Sequence, residues 1–126
     1  MAVIAHDITA RVEAEKQFRL SAAVFESTQE GILVTDAANR IVLVNPAFTR
    51  ITGYTPDEVI GKSPNTLSSG MHDEAFYKAM WASINDTGRW QGEVWDRRKN
   101  GEMYCEWLSI STVKNAQGKT LYHAAI

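Results

Sequence analysis

Residues 39–61, NRIVLVNPAFTRITGYTPDEVIG, constrain this chain more tightly than any other stretch. A turn at Ala38 and Asn39 leads into a short apolar run, Ile41, Val42, Leu43 and Val44, that stops at Asn45-Pro46. Asparagine is a good helix N-cap and proline suits the first helical position, so the order predicts a strand ending in a helix start. Ala47, Phe48 and Ile51 then mark one buried helical face, and Gly53 closes the helix after barely two turns. Thr55 and Pro56 open a second short helix, with Asp57 and Glu58 near its positive end and Gly61 behind it. Two helices this small cannot form a core by themselves. They imply a cap on a sheet.

The rest of the chain supplies that sheet. Residues 31–36, GILVTD, read as a first strand, paired as a hairpin with residues 41–44. Residues 61–71 are polar and rich in turn formers, which predicts a loop. Over residues 73–86, Phe76, Met80 and Ile84 line one helical face with Tyr77 and Trp81 beside it, and Gly88 ends the helix. The period then changes to two. Residues 89–97 and 102–113 read as strands joined by Asn100-Gly101, a dipeptide that accepts positive φ at both turn positions, and residues 120–126 follow as a last strand. The fold class is α+β: a five-stranded antiparallel sheet with short helices on one face. Ahead of it, Asp7 or Thr9 can cap an amphipathic helix of about four turns, whose apolar stripe is Ala14, Phe18, Ala22 and Phe25. Such a stripe suits packing on the protein's own sheet and suits a dimer seam.

A chain of 126 residues, 44% hydrophobic, buries one core. Its formal net charge of −2, with both signs scattered, builds no basic face for a nucleic acid or an anionic membrane. No apolar run approaches the roughly 20 residues of a membrane helix, and the N-terminus lacks the pattern of a secretion signal. The single cysteine, Cys105, forms no internal disulfide and fits the reducing cytoplasm. His6, His72 and His123 stand apart, outside any hydrolase or metal-ligand motif, so the residues support neither catalysis nor a metal site.

Asn45-Pro46-Ala47-Phe48, Thr52-Gly53-Tyr54 and Glu58-Val59-Ile60-Gly61 together resemble the signature of PAS domains, small sensory modules of bacterial signalling proteins. Gly88-Arg89-Trp90-Gln91-Gly92-Glu93, Arg97-Arg98-Lys99-Asn100-Gly101 and residues 104–111 continue the likeness in register. The resemblance implies a strand order of 2-1-5-4-3 and a PAS domain over residues 25–126. Residues 1–24 would then be the end of a preceding segment and a linker helix, with residues 1–5 the tail of an earlier strand closed by Asp7-Ile8-Thr9. It also implies a fragment of a longer protein. The wording of residues 68–104 is most similar to modules that precede GGDEF-type diguanylate cyclases and EAL-type phosphodiesterases, enzymes of cyclic-di-GMP; histidine kinases carry close versions.

Alternation places Trp90, Gly92, Val94 and Asp96 on one face of the third strand, and Tyr104, Glu106, Leu108 and Ile110 on one face of the fourth. By the resemblance that face lines a cavity, which makes Trp81, Trp90, Asp96, Glu106 and Leu108 the candidate contacts. Haem-binding relatives carry a histidine on the long helix, which here reads EAFYKAMWASI; covalent FMN needs a loop cysteine, and the loop here reads GKSPNTLSSG. Asp96 and Glu106 match positions where flavin-binding relatives present amides, and ionised carboxylates accept hydrogen bonds without donating them. Non-covalent FAD is therefore the second reading. The plain alternative pairs both carboxylates with Arg97, Arg98, Lys99 or backbone amides and uses Trp81 and Trp90 as core filling. Trp95 and Trp107 alternate outward and call for a cover. With Phe18, Ala22 and Phe25 they define an expected homodimer interface, the alternatives being a monomer whose helix covers both rings and a purely structural dimerisation module.

Overall fold

The computed structural model describes the backbone of residues 2–126 and the side chains from Thr9 onward. In chain order it contains α1 (Ala2–Ser27), β1 (Leu33–Asp36), β2 (Ile41–Val44), α2 (Pro46–Thr52), α3 (Pro56–Val59), α4 (Glu74–Thr87), β3 (Arg89–Arg97), β4 (Met103–Lys114) and β5 (Thr120–Ala125). The strands form one antiparallel sheet in the order β2-β1-β5-β4-β3, as the resemblance implied.

Local chemistry explains the short helices. The Asn45 side chain accepts from the Phe48 amide at the start of α2, and Gly53, in the left-handed region at φ 83, returns its N–H to Thr49 at the end. Thr55 and Glu58 make a capping box on α3, the Thr55 amide donating to Glu58 Oε1 at 2.9 Å. Asp73 caps α4 in the same manner as Asn45 caps α2. The loop before α4 is more ordered than its composition predicts: a single 3-10 turn, Pro64–Leu67, is capped by Ser63.

Asn45 has a larger role than a cap. Its Oδ1 also accepts from the Ile32 amide at 2.8 Å, and its Nδ2 donates to the carbonyls of Phe25 at 3.1 Å and Glu30 at 2.9 Å. One buried side chain thus joins the end of α1, the segment leading to β1, the end of β2 and the start of α2. The core lies beside this hub. Leu33, Ile41, Val44, Phe48, Val59 and Leu67 form one cluster; Met80, Ile84, Val94 and Ile110 form a second, and Ala125 packs against both.

Three sequence expectations change. α1 runs without interruption from Ala2 through Asp7 and Thr9, so residues 2–5 are helix rather than the tail of a strand, and the expected cap is passed over. Met1 lies outside the described residues. The helix is consequently about seven turns long. At the β3–β4 hairpin only Gly101 is left-handed, at φ 91, and the Gly101 N–H bonds the Arg98 carbonyl. This is a type I turn closed by a left-handed glycine rather than a two-residue turn, because Asn100 Oδ1 accepts from Glu102 N–H and the Lys99 N–H is taken by Thr52. Finally, β1 begins at Leu33: Gly31 lies where a Cβ would meet Ile51 at 3.3 Å and Phe48 at 3.4 Å, so it serves close packing on α2.

Asn45→Ala leaves several buried polar groups without partners, so the domain should lose about 3 kcal/mol of stability. Denaturant unfolding measures this. Amide exchange at residues 22–27 should rise beyond the global change, because the bond to Phe25 is lost.

Candidate functional site

Between the inner sheet face and the helices lies a cavity of about 180 Å³. Its wall is largely apolar, with Leu33, Phe48, Met80, Val94, Leu108 and Ile110 contributing. Polar groups reach it at two ends of β4. Near the start of that strand stand Tyr104 and Glu106, with Asp96, Ser68 and Tyr77 nearby. Towards its other end, Thr112 pairs with His123, which in turn pairs with Thr35 on β1.

Asp96 and Glu106 are neighbours on adjacent strands, Asp96 opposite Tyr104 and Glu106 opposite Val94, and their side chains hydrogen-bond to each other. Two touching carboxyl groups cannot both ionise cheaply. Burial first, then the bond to Asp96 and its charge, push Glu106 up to about 8, against a smaller opposing pull from Arg98. Burial raises Asp96 as well. At neutral pH Glu106 therefore keeps a proton that can bridge the two carboxyl groups. Burial, followed by the charges of Glu106 and Asp96, also raises the Tyr104 hydroxyl, which stays neutral.

Of the basic side chains expected to neutralise this pair, Lys99 is engaged elsewhere and Arg98 is shared with other partners. Lys99 Nζ lies 2.5 Å from Glu58 Oε2, and that contact, with the Thr55 amide, holds Glu58 at about 2. Arg98 pairs with Glu102, donates to the Ile51 carbonyl, and places its guanidinium 4.1 Å from the Tyr104 ring centre. The reason is geometric. The hairpin tip latches onto the end of α2, which commits Lys99 to Glu58 and leaves Arg98 close enough to act on Glu106 through its charge alone.

Thr35 is 2% exposed, and its hydroxyl has no hydrogen-bond partner among the described residues. It also lines the cavity. His123 bonds Thr112 through Nδ1 at 3.2 Å and meets the Trp81 ring edge-on; burial lowers its pKa, so it is neutral. Of the candidate contacts, Trp81, Asp96, Glu106 and Leu108 stand on the cavity wall. Trp90 does not. Its ring lies over Gly92, where a Cβ would come within 3.0 Å, and meets Phe76 edge-on, so it belongs to the second core cluster. Thr35 and Tyr104 were missed as site residues, since alternation assigns a face but cannot tell which members of it border a gap.

The family description for the PAS domain matches residues 29–126. The chain belongs to the PAS domain family. A nitrogen fixation regulatory protein of Klebsiella oxytoca is 31% identical over 101 residues, 80% of this chain, and a blue-light-activated histidine kinase of Brucella canis is 34% identical over 100 residues, 77% of this chain. The PAS chain spans 20% of the length of each of these curated relatives. Among solved structures, a PAS domain from Colwellia psychrerythraea superposes with a TM-score of 0.80 at 19% identity, covering 86% of this chain and 92% of that one. An RsLOV variant superposes with a TM-score of 0.74 at 27% identity, covering 87% and 64%.

On the outer face of this PAS domain Trp107 is 64% exposed and Trp95 38% exposed, and Phe18 on α1 is 75% exposed. Ala22 is exposed and Phe25 half-buried. α1 packs against α2 and leaves both tryptophans uncovered, so the fold-back monomer is not the arrangement present. Val12, Leu20 and Val24 are exposed as well, which makes the helix less two-sided than the stripe suggested. His72, unassigned from sequence, accepts the Trp95 amide through Nε2 at 2.9 Å and stacks on Phe76, covering part of the edge strand β3. Among the described residues no helix is long and apolar enough to cross a membrane, and no group of three potential ligands could hold a metal.

Glu106 binds its proton more tightly in the native state than in the unfolded chain, where its pKa is near 4.5. Stability should therefore be greatest below about pH 4.5 as far as this group is concerned, and decline as pH rises towards 8. Melting temperatures across that window should fall on the order of 5 °C for the parent. Glu106→Gln should flatten the decline.

Proposed function

We propose that the chain is a cytoplasmic sensory relay module of a longer signalling protein. A small molecule held in the cavity alters how the β3–β4 hairpin sits on α2, and α2 passes the change through Asn45 to α1. One observation carries the reading: these contacts are continuous. The strands bearing Asp96 and Glu106 end in the tip that bonds Ile51 and Thr52, and the other end of that same short helix is capped by the side chain bonded to Phe25. Such a chain of packed and bonded groups can couple a site to a helix if the latch has two arrangements. Catalysis is assigned to other parts of the full-length protein. Leu108→Trp, which fills the cavity, is the test. Hydrogen exchange should change at residues 22–27 and 98–101 while the fold is retained; a change confined to the cavity wall would refute the relay.

The output has two readings. Residues 68–104 resemble the modules that precede GGDEF and EAL enzymes, which favours a cyclic-di-GMP enzyme. The relatives named above are a regulatory protein and a histidine kinase, which favours a kinase. The sequence that follows this module in the full-length chain decides between them.

We further propose a homodimer built through α1 and the outer sheet face, since Phe18, Trp95 and Trp107 leave apolar surface that a twin patch would bury. Non-covalent flavin is the second reading of the cavity, supported by the light-activated relative and by a protonated Glu106 that can donate a hydrogen bond. The residues fit it poorly. The cavity is below the roughly 300 Å³ at which most ligand pockets begin, and a covalent flavin has no thiol to use, because exposed Cys105 alternates with the inward-facing Tyr104 and Glu106. Sedimentation followed by ultraviolet and visible absorbance checks both proposals. A dimer that Phe18→Asp dissociates is expected, with no visible band; a colourless monomer would remove the dimer, and a co-sedimenting yellow band would restore flavin.

A further inference from the structure

Resting on the reading of the cavity as a ligand site, we infer that its ligand is a small organic cation: an amine or amidine with an apolar or aromatic body and a hydrogen-bonding group at its far end. Three observations carry this. The first is the carboxyl pair. Asp96 and Glu106 stand together on the inner face with no ion pair to a basic side chain among the described residues: Lys99 and Arg98 on the adjoining tip pair with Glu58 and Glu102, and only the more distant charges of Arg98 and His72 act on the two carboxyls. A half-buried carboxyl pair of this kind calls for a counter-charge, and the cavity is the direction from which one can reach it.

The second is the company the pair keeps. Tyr77 and Trp81 line the same cavity, and the faces of such rings attract an ammonium or amidinium group while their bodies pack against its apolar part, as Tyr104 already does for the Arg98 guanidinium. Methionine and aliphatic side chains complete the wall, so an anion or a strongly hydrated inorganic ion is poorly served. The third is Thr35. Its hydroxyl is buried without a partner among the described residues, lines the cavity, and lies towards the end of the sheet away from the pair. A ligand reaching from the carboxyl pair to Thr35 must therefore be polar at both ends.

Volume limits the size. A cavity of about 180 Å³ is close to the roughly 150 Å³ that accepts benzene, so a single ring with a short arm is the appropriate scale.

Phenethylamine, phenethyl alcohol and tyramine are the probes, titrated into the intact chain at neutral pH with side-chain NMR of Trp81 and Val94 and with calorimetry. The amine is expected to bind at least tenfold more tightly than the alcohol. The double variant Asp96→Asn, Glu106→Gln, which keeps the shape and hydrogen-bonding capacity of the pair, should bring the two to equal affinity. Tyramine should exceed phenethylamine in the parent, and Thr35→Val should close that gap. Equal binding of amine and alcohol by the parent, or an amine preference that survives the double variant, overturns the cation inference. Such a result leaves the relay reading to its own test with Leu108→Trp. A gap unaffected by Thr35→Val overturns the assignment of the far end, and failure of all three probes to shift Trp81 or Val94 overturns the inference as a whole.

Discussion

The hydrogen bonds of Asn45 are the constraint on which the rest of this domain depends. The first strand pair ends, the first short helix starts and the N-terminal helix stops within reach of one side chain, and each of these events leaves backbone groups in need of partners. In a buried place those groups have no water to turn to. An aspartate could accept from Phe48 and Ile32 but could not donate to the carbonyls of Phe25 and Glu30 while ionised. An alanine could do neither. The amide satisfies both demands because it carries an acceptor and two donors on one rigid plane.

A second fastening, at the opposite end of α2, shapes the cavity. The β3–β4 tip is held by Arg98 and Lys99 to Ile51, Thr52 and Glu58, which fixes that corner of the sheet against α2, whose Phe48, Ile51 and Thr52 border the cavity. Those cations hold the latch. The carboxyl pair a few residues away has no ion pair of its own among the described residues, so a closed hairpin and a carboxyl pair bonded to itself follow from the same placement of basic residues. α2 stands between the two fastenings, which is why a helix of seven residues can connect the cavity wall to a helix of 26.

Much of the architecture was legible in the sequence. Asn45-Pro46 and Gly53 delimit α2, Thr55-Pro56 and Glu58 open α3, and Asp73 and Gly88 bound α4, because capping is decided by neighbours in the chain. The two faces of β3 and β4 also followed from alternation: Trp95 and Trp107 point outward, and Asp96 and Glu106 inward. The N-terminal stretch was less legible. Asp7 and Thr9 read as a cap, but a cap residue only permits a helix to begin there; it does not oblige it, and the helix passes through both. The site was legible in part, since Trp81, Asp96, Glu106 and Leu108 belong to elements whose orientation a period can predict, whereas Trp90 was diverted by Gly92, a space that no pattern of hydrophobicity describes.

What the sequence determined by itself, then, is local: where strands and helices start and stop, and which face of each is apolar. Both follow from dihedral preferences and from periods of two and 3.6 residues, and both are complete within a dozen residues of chain. The strand order came from resemblance, and only the tertiary structure decided which charges meet. Arg97, Arg98 and Lys99 are nearer to Asp96 in the chain than Glu106 is, yet Asp96 pairs with Glu106 because strand register, rather than chain distance, sets which side chains touch. Thr35 carries the same lesson. Nothing about a threonine in a strand shows that its hydroxyl will be buried without a partner, because that depends on the absence of polar atoms on elements distant in sequence.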